Sequence, residues 1–158
     1  MQFIPQPQAL HVVGIALRTH NGEAFQTIPP HWGRFAQSGL AKRLPHRLSD
    51  DVYAVYTDFQ NAGVDNSGWY TLVIGHAVPG DTPTLPPDEL AHVVAPASRR
   101  AVFEVAQGRP DLVGAEWQQI WQRSDLQKTT LADYERYQAD GTISIHIGVV
   151  GSPHAPEP

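Results

Sequence analysis

Asp133-Tyr134-Glu135-Arg136-Tyr137 is the stretch on which the fold turns, because it stands where the second half of the chain echoes the first. The first half runs through an apolar strand at residues 12–17 and a helical stretch holding Trp32 and Phe35. It continues through Asp51-Val52-Tyr53-Ala54-Val55-Tyr56 to Gly68-Trp69-Tyr70-Thr71-Leu72-Val73-Ile74-Gly75. The second half has an apolar strand at residues 101–105 and a helical stretch holding Trp117 and Trp121. Asp133–Tyr137 follows, then Gly141-Thr142-Ile143-Ser144-Ile145-His146-Ile147-Gly148. The order is the same twice: strand, helix, Tyr-bearing strand, Gly-bounded strand ending in Ile-Gly. Two copies fall short of a solenoid and build one pseudo-symmetric domain instead. Where the first copy has Ala54, the second has Glu135, and one acid in a duplicated scaffold marks a candidate site.

Outward from that stretch, the remaining elements follow from local pattern. Residues 1–9 read as a leader arm, and residues 10–18 (LHVVGIALR) as a buried strand in which Gly14 permits a bulge or a close approach. Thr27, with Pro29 and Pro30 behind it, reads as a helix cap with prolines in the first turn. Trp32, Phe35, Ala36, Gly39 and Leu40 make an apolar helix face that Pro45 ends. Residues 52–59 alternate, with Tyr53, Val55, Thr57 and Phe59 on one side and Val52, Ala54, Tyr56 and Asp58 on the other. The turn cluster at 61–67 (NAGVDNS) makes the flanking strands a hairpin. Residues 78–87 (VPGDTPTLPP) are Pro-rich and read as the connection between repeat halves at about 10–77 and 90–150. An extra strand at 90–94 precedes the second copy, and Val113, Trp117, Ile120 and Trp121 form a helical stripe. The last strand puts Ile143, Ile145, Ile147 and Val149 on one face and Ser144, His146 and Gly148 on a polar face. Residues 151–158 read as a flexible tail.

The fold class is therefore α+β. Duplicated β-α-β-β units join into one antiparallel sheet, with two helices on one face and a groove at the pseudo-twofold axis. A cleft between related halves is a frequent ligand location.

Composition narrows the function. The 158 residues suit one domain, and 41% hydrophobic with 17% charged residues can bury a core. A net charge of -5 without a basic stripe argues against direct nucleic-acid binding. Having 0 cysteines removes disulfides, thiolate chemistry and cysteine zinc sites. There is no secretory signal pattern and no apolar run of membrane-spanning length, so a cytoplasmic location is expected. The 8 histidines are dispersed and no metal or cofactor is expected; His146 is the one to watch. Nucleophile-elbow, phosphate-loop and dinucleotide motifs are lacking, and Asp50-Asp51 and Asp88-Glu89 read as solvated loop charges.

The sequence resembles the GyrI-like family, the effector-binding domain of AraC-type and multidrug-sensing transcription regulators. The resemblance rests on Val13-Gly14-Ile15, Tyr53-Ala54-Val55-Tyr56-Thr57-Asp58 and Tyr70-Thr71-Leu72-Val73-Ile74-Gly75. It also rests on Trp117-Gln118-Gln119-Ile120-Trp121 and Asp133–Tyr137, and spans residues 10 to 150. It implies an SHS2-type duplicated fold with an aromatic-lined pocket around an acidic residue, used for lipophilic and often cationic compounds. The family's pocket glutamate carries over to Glu135. Arg136 departs from the family's apolar residue at that place, and strand alternation turns it away from Glu135.

The candidate ligand-binding residues are Glu135, Tyr137, Tyr56, Trp117 and Trp121. Read without the resemblance, Glu135 also suits a surface position, and Trp117 and Trp121 also suit a core stripe; Trp32 and Phe35 read as core. Three functions stay open. The first is a stand-alone domain that senses or sequesters small lipophilic cationic compounds. The second is a hydrolase of reactive cyclopropane-type toxins, with Glu135 as general acid or base. The third is a protein-interaction module like the gyrase inhibition that named the family. A protein partner or a homodimer is not decided by these patterns.

Overall fold

The computed structural model describes residues 1–83 and 90–154. Residues 84–89, which hold the end of the expected Pro-rich connection and Asp88-Glu89, and residues 155–158 of the expected tail lie outside it. The strands are β1 (Gln2–Gln6), β2 (Leu10–His20), β3 (Val52–Thr57), β4 (Trp69–Val78), β5 (Leu90–Ala95), β6 (Ser98–Val105), β7 (Asp133–Tyr137) and β8 (Ile143–Val149). The helices are α1 (Ala24–Ser38), the single turn α2 (Leu40–Arg43) and α3 (Val113–Gln122), the last entered through a 3-10 turn at Pro110–Leu112.

All eight strands form one antiparallel sheet in the order β1-β6-β8-β7-β3-β4-β2-β5. This order is palindromic in the repeat. The two Tyr-bearing strands, β3 and β7, pair at the centre, with each hairpin partner and then each first strand outside them. The outermost strands are exchanged: β1 precedes the first copy but pairs with β6 of the second, and β5 precedes the second copy but pairs with β2 of the first. Residues 1–9 are thus more than a leader arm, because Gln2–Gln6 is the counterpart of β5. Short length and mixed polarity hid it. Pro5 lacks a ladder donor, which an edge strand tolerates.

The exchange curls the sheet. Only residues 96 and 97 join β5, at one end, to β6, next to the other end. The two ends are therefore brought together, and Gln6 Nε2 donates to the Ala95 carbonyl at 3.3 Å. As a result both faces are covered. The concave face packs Val12, Tyr53, Val55, Val73, Ala77 and Tyr134. Ser144, His146 and Gly148, expected on the polar face of the last strand, lie on this inner face and are buried or half-buried. His146 stacks on Tyr134 with ring centroids 4.5 Å apart and donates to or accepts from Ser144 Oγ at 2.8 Å. Arg100, only 1% exposed, ties the curl shut: Nε donates to Gln6 Oε1 (2.8 Å), one amino group to the Ala132 carbonyl (2.5 Å) and the other to the Pro96 carbonyl (3.0 Å).

Both helices cover the other face. Ile28, Trp32 and Phe35 of α1 pack on Ala54, Leu72 and Ile74. Val113, Trp117 and Ile120 of α3 pack on Ala101, Phe103, Ile145 and Ile147. The start of α1 differs from expectation. The helix begins at Ala24, after Glu23, and the Thr27 hydroxyl donates back to the Glu23 carbonyl at 3.1 Å while meeting Thr19 Oγ1 at 2.7 Å. Pro29 and Pro30 therefore sit in the second turn. The carbonyls they leave without helical partners belong to exposed Phe25 and Gln26, where water is available.

Candidate ligand-binding site

A cavity of about 740 Å³ lies between α1, α3 and the central strands, within the usual range for small-molecule sites. Its floor is the β3–β7 ladder, where Ala54 pairs with Glu135 and Tyr56 with Asp133. The ladder is continuous through Tyr53↔Arg136, so no bulge turns the strand, and Arg136 points to the other side, bonded to Asp51 at 2.7 and 3.0 Å.

Glu135 is 2% exposed. Its Oε2 accepts from the Tyr56 hydroxyl (2.7 Å) and from Trp117 Nε1 (2.8 Å), and its Oε1 accepts from the Tyr137 hydroxyl. These three donors come from β3, α3 and β7, so the carboxylate is held by both halves of the repeat. Among the described residues no cationic side chain lies within ion-pair distance of it. Burial raises its pKa, and the bonds from Tyr137, Tyr56 and Trp117 oppose that rise by favouring the ionised form. The phenols respond in the opposite sense. Burial and the adjoining carboxylate hold Tyr56 and Tyr137 well above the ordinary phenol, and push Tyr70 up to about 12.

Aromatic rings wall the cavity. Trp32 meets Tyr137 edge-on at 5.1 Å, Tyr56 meets Trp117 at 5.2 Å, and Tyr56 meets Tyr70 at 5.7 Å between centroids. Trp121 lies 6.1 Å from Trp117 and is 43% exposed; it reaches the mouth rather than the floor. Phe25, 91% exposed, lines the same mouth from α1. All five residues named from sequence therefore border one cavity.

Sequence reasoning missed Trp32, Tyr70 and Asp133. Trp32 was signalled by the repeat itself, since it is the helical tryptophan of the first copy as Trp117 is of the second. Tyr70 and Asp133 were signalled by alternation, two residues before Leu72 and Glu135 on the same face. Among the described residues no group of three His, Asp or Glu side chains is placed to hold a metal ion. No helix there is long and apolar enough to cross a membrane.

The model of a family described as integron-associated effector binding protein matches residues 4–149, so the chain belongs to that family, one of GyrI-like effector-binding character. Solved structures share the fold, among them the following three. SAV2435, solved bound to tetraphenylphosphonium, has a TM-score of 0.71 at 21% identity over 96% of this chain and 95% of that one. An integron cassette protein from the mobile metagenome of Vibrio cholerae has a TM-score of 0.69 at 19% identity over 94% of each chain. A candidate transcription regulation protein from Staphylococcus aureus MU50 has a TM-score of 0.69 at 17% identity, over 96% of this chain and 99% of that one. No curated protein matches the chain in sequence.

Proposed function

We propose that this protein binds small lipophilic cations in the cavity between α1 and α3, with Glu135 as counter-charge, and so senses or sequesters them. One observation carries the reading: a buried carboxylate on the floor of an aromatic cavity has three neutral donors but, among the described residues, no cation. An ionised carboxylate there is costly until a cation arrives, and a ligand charge removes that cost on binding. Trp32, Tyr56 and Trp117 present ring surface to such a cation, each contact contributing about 0.5–2 kcal/mol. Membership of an effector-binding family and the phosphonium held by SAV2435 on the same fold support the reading.

The test is quenching of tryptophan fluorescence by tetraphenylphosphonium and by neutral triphenylphosphine oxide, in wild type and Glu135→Gln. Saturable quenching that favours the cation in wild type and loses that preference in the variant is the expected result. The absence of saturable binding to wild type, or a preference unchanged in Glu135→Gln, would overturn it.

Hydrolysis of a reactive cyclopropane-type compound is the second reading. It is favoured by the raised pKa of Glu135 beside two phenols, an arrangement that can deliver a proton. It requires turnover that Glu135→Gln abolishes while binding of a neutral compound survives.

A further inference from the structure

The cavity holds a second carboxylate of different character. Asp133 stands two residues before Glu135 on β7, on the same face of the strand, and lines the same cavity. It is 9% exposed. Its Oδ1 accepts the Gly148 amide at 2.8 Å, whereas its Oδ2 accepts from no donor among the described residues. Glu135 already accepts three bonds, two on Oε2 and one on Oε1, which keeps a single lone pair. Glu135 thus accepts three protein hydrogen bonds and Asp133 one, which leaves a whole oxygen of Asp133 without a protein donor among the described residues.

The surroundings do not supply the missing donor. Tyr56 lies opposite Asp133 in the ladder but gives its hydroxyl proton to Glu135. Lys128 also lines the cavity, yet its ammonium donates to the Arg123 carbonyl at 3.2 Å and makes no ion pair with Asp133. Arg100, on the far side of the sheet, is spent on Gln6, Ala132 and Pro96.

A cation without hydrogens on its charged centre interacts with this cavity through charge and ring faces alone. A protonated amine or amidine can also donate, and a donor needs an acceptor with a free lone pair. Oδ2 of Asp133, which accepts no protein bond among the described residues, has both lone pairs to offer, against one on Glu135 Oε1. We propose that Asp133 is a second ligand-contacting carboxylate, and that it makes the site select lipophilic cations bearing an N–H over cations of similar size without one. The inference rests on the cation-binding reading of the cavity and names the class of cation.

The experiment compares 1-naphthylmethylammonium with its N,N,N-trimethyl analogue by titration calorimetry on wild type and Asp133→Asn. Asparagine keeps a carbonyl oxygen for the Gly148 amide. Wild type is expected to prefer the N–H probe by about tenfold, the size of one charge-assisted hydrogen bond. In Asp133→Asn the two affinities should converge to within about twofold, with the trimethyl probe still bound as proof that the variant is folded. Should the variant fail to fold, wild type decides. The preference must then shrink as pH falls through about 6, where Asp133 takes up its proton. Titration of Glu135 bears on both probes and cancels in the ratio, and Arg100, Lys128 and Tyr56 do not change charge in that range.

Equal affinities in wild type would overturn this proposal and leave the cation reading standing. A preference that survives both Asp133→Asn and acid would do the same. Failure of wild type to bind either probe would overturn both.

Discussion

Ala54 and Glu135 face each other across the β3–β7 ladder, the same position of the two repeat copies brought together at the pseudo-twofold axis. In an antiparallel pair of equivalent strands only the position on the axis faces its own equivalent, and on either side of it Tyr53 faces Arg136 and Val55 faces Tyr134. The pair also explains how the acid fits. Both residues are buried on the helix-facing side, and the methyl group of Ala54 leaves the space that a second large side chain would fill. Duplication supplied the symmetric floor, and the small partner makes room for one asymmetric charge.

Ala54→Leu is accordingly expected to damage stability and binding together. Overpacking a filled floor costs about 1–3 kcal/mol, and the added atoms press on Tyr56 and Tyr137, which hold Glu135. Urea denaturation should show the loss, and tetraphenylphosphonium affinity should fall in the folded fraction. An unchanged affinity would place the ligand elsewhere.

If Glu135 is the counter-charge proposed above, the tyrosines around it set the pH range of binding. Their donated bonds favour the carboxylate, so Tyr137→Phe raises the Glu135 pKa further. Affinity for the phosphonium, which in the proposed reading needs the charge, should then be lost at higher pH on acidification, with the midpoint moved up. Fluorescence titrations at closely spaced pH values read this directly. A midpoint that does not move, or moves down, would contradict the assigned role.

Asp133 should make the unliganded protein less stable near neutrality. Burial pushes its pKa from 3.8 up to about 6, with Gly148, Arg100 and Lys128 opposing. The folded state therefore holds this proton up to about pH 6 while the unfolded chain releases it near 3.8. Its contribution to stability is lost as pH rises through that window, by about 3 kcal/mol at most. The histidines complicate wild type alone, since burial lowers the pKa of His146 to about 4 and that of His31, which opposes the trend. They cancel against Asp133→Asn. The variant's advantage should be absent at pH 3.5, grow between pH 4 and 6 and stay level above, by chemical denaturation.

Gly14 and Gly75 sit opposite each other in the β2–β4 ladder. A side chain on Gly75 would collide with the Val13 carbonyl, and one on Gly14 with the Ile74 carbonyl. These are backbone atoms of the β2–β4 ladder and cannot swing aside. Gly75→Ala should cost several kcal/mol, about 3 or more, and is expected to leave little folded protein by circular dichroism. Gly33→Ala in α1, where a Cβ meets nothing, should be neutral or stabilising by up to about 1 kcal/mol.

Much of this was legible in the chain. The repeat, the hairpins, the two amphipathic helices and the alternation that sets Glu135 with Tyr137 and apart from Arg136 are all local patterns. Local sterics and period-two or period-3.6 burial write them into neighbouring residues. Other features depend on partners far along the chain. β1 has no apolar signature, because its place comes from pairing with β6 almost a hundred residues on. Ser144 and His146 look solvent-facing until the exchanged end strands curl the sheet and cover that side. Trp32 looks like core until α1 and α3 are set apart on one face with a cavity between them.

The sequence alone therefore determined that two β-α-β-β copies exist and that one of them carries an acid on an aromatic strand face. Only the tertiary structure decided that the copies meet through β3 and β7, that Glu135 is held by donors from both halves, and that one oxygen of Asp133 has no protein donor among the described residues. The reason is physical: side-chain alternation is a property of a single strand, whereas burial, hydrogen-bond supply and charge pairing are properties of what the strand is packed against.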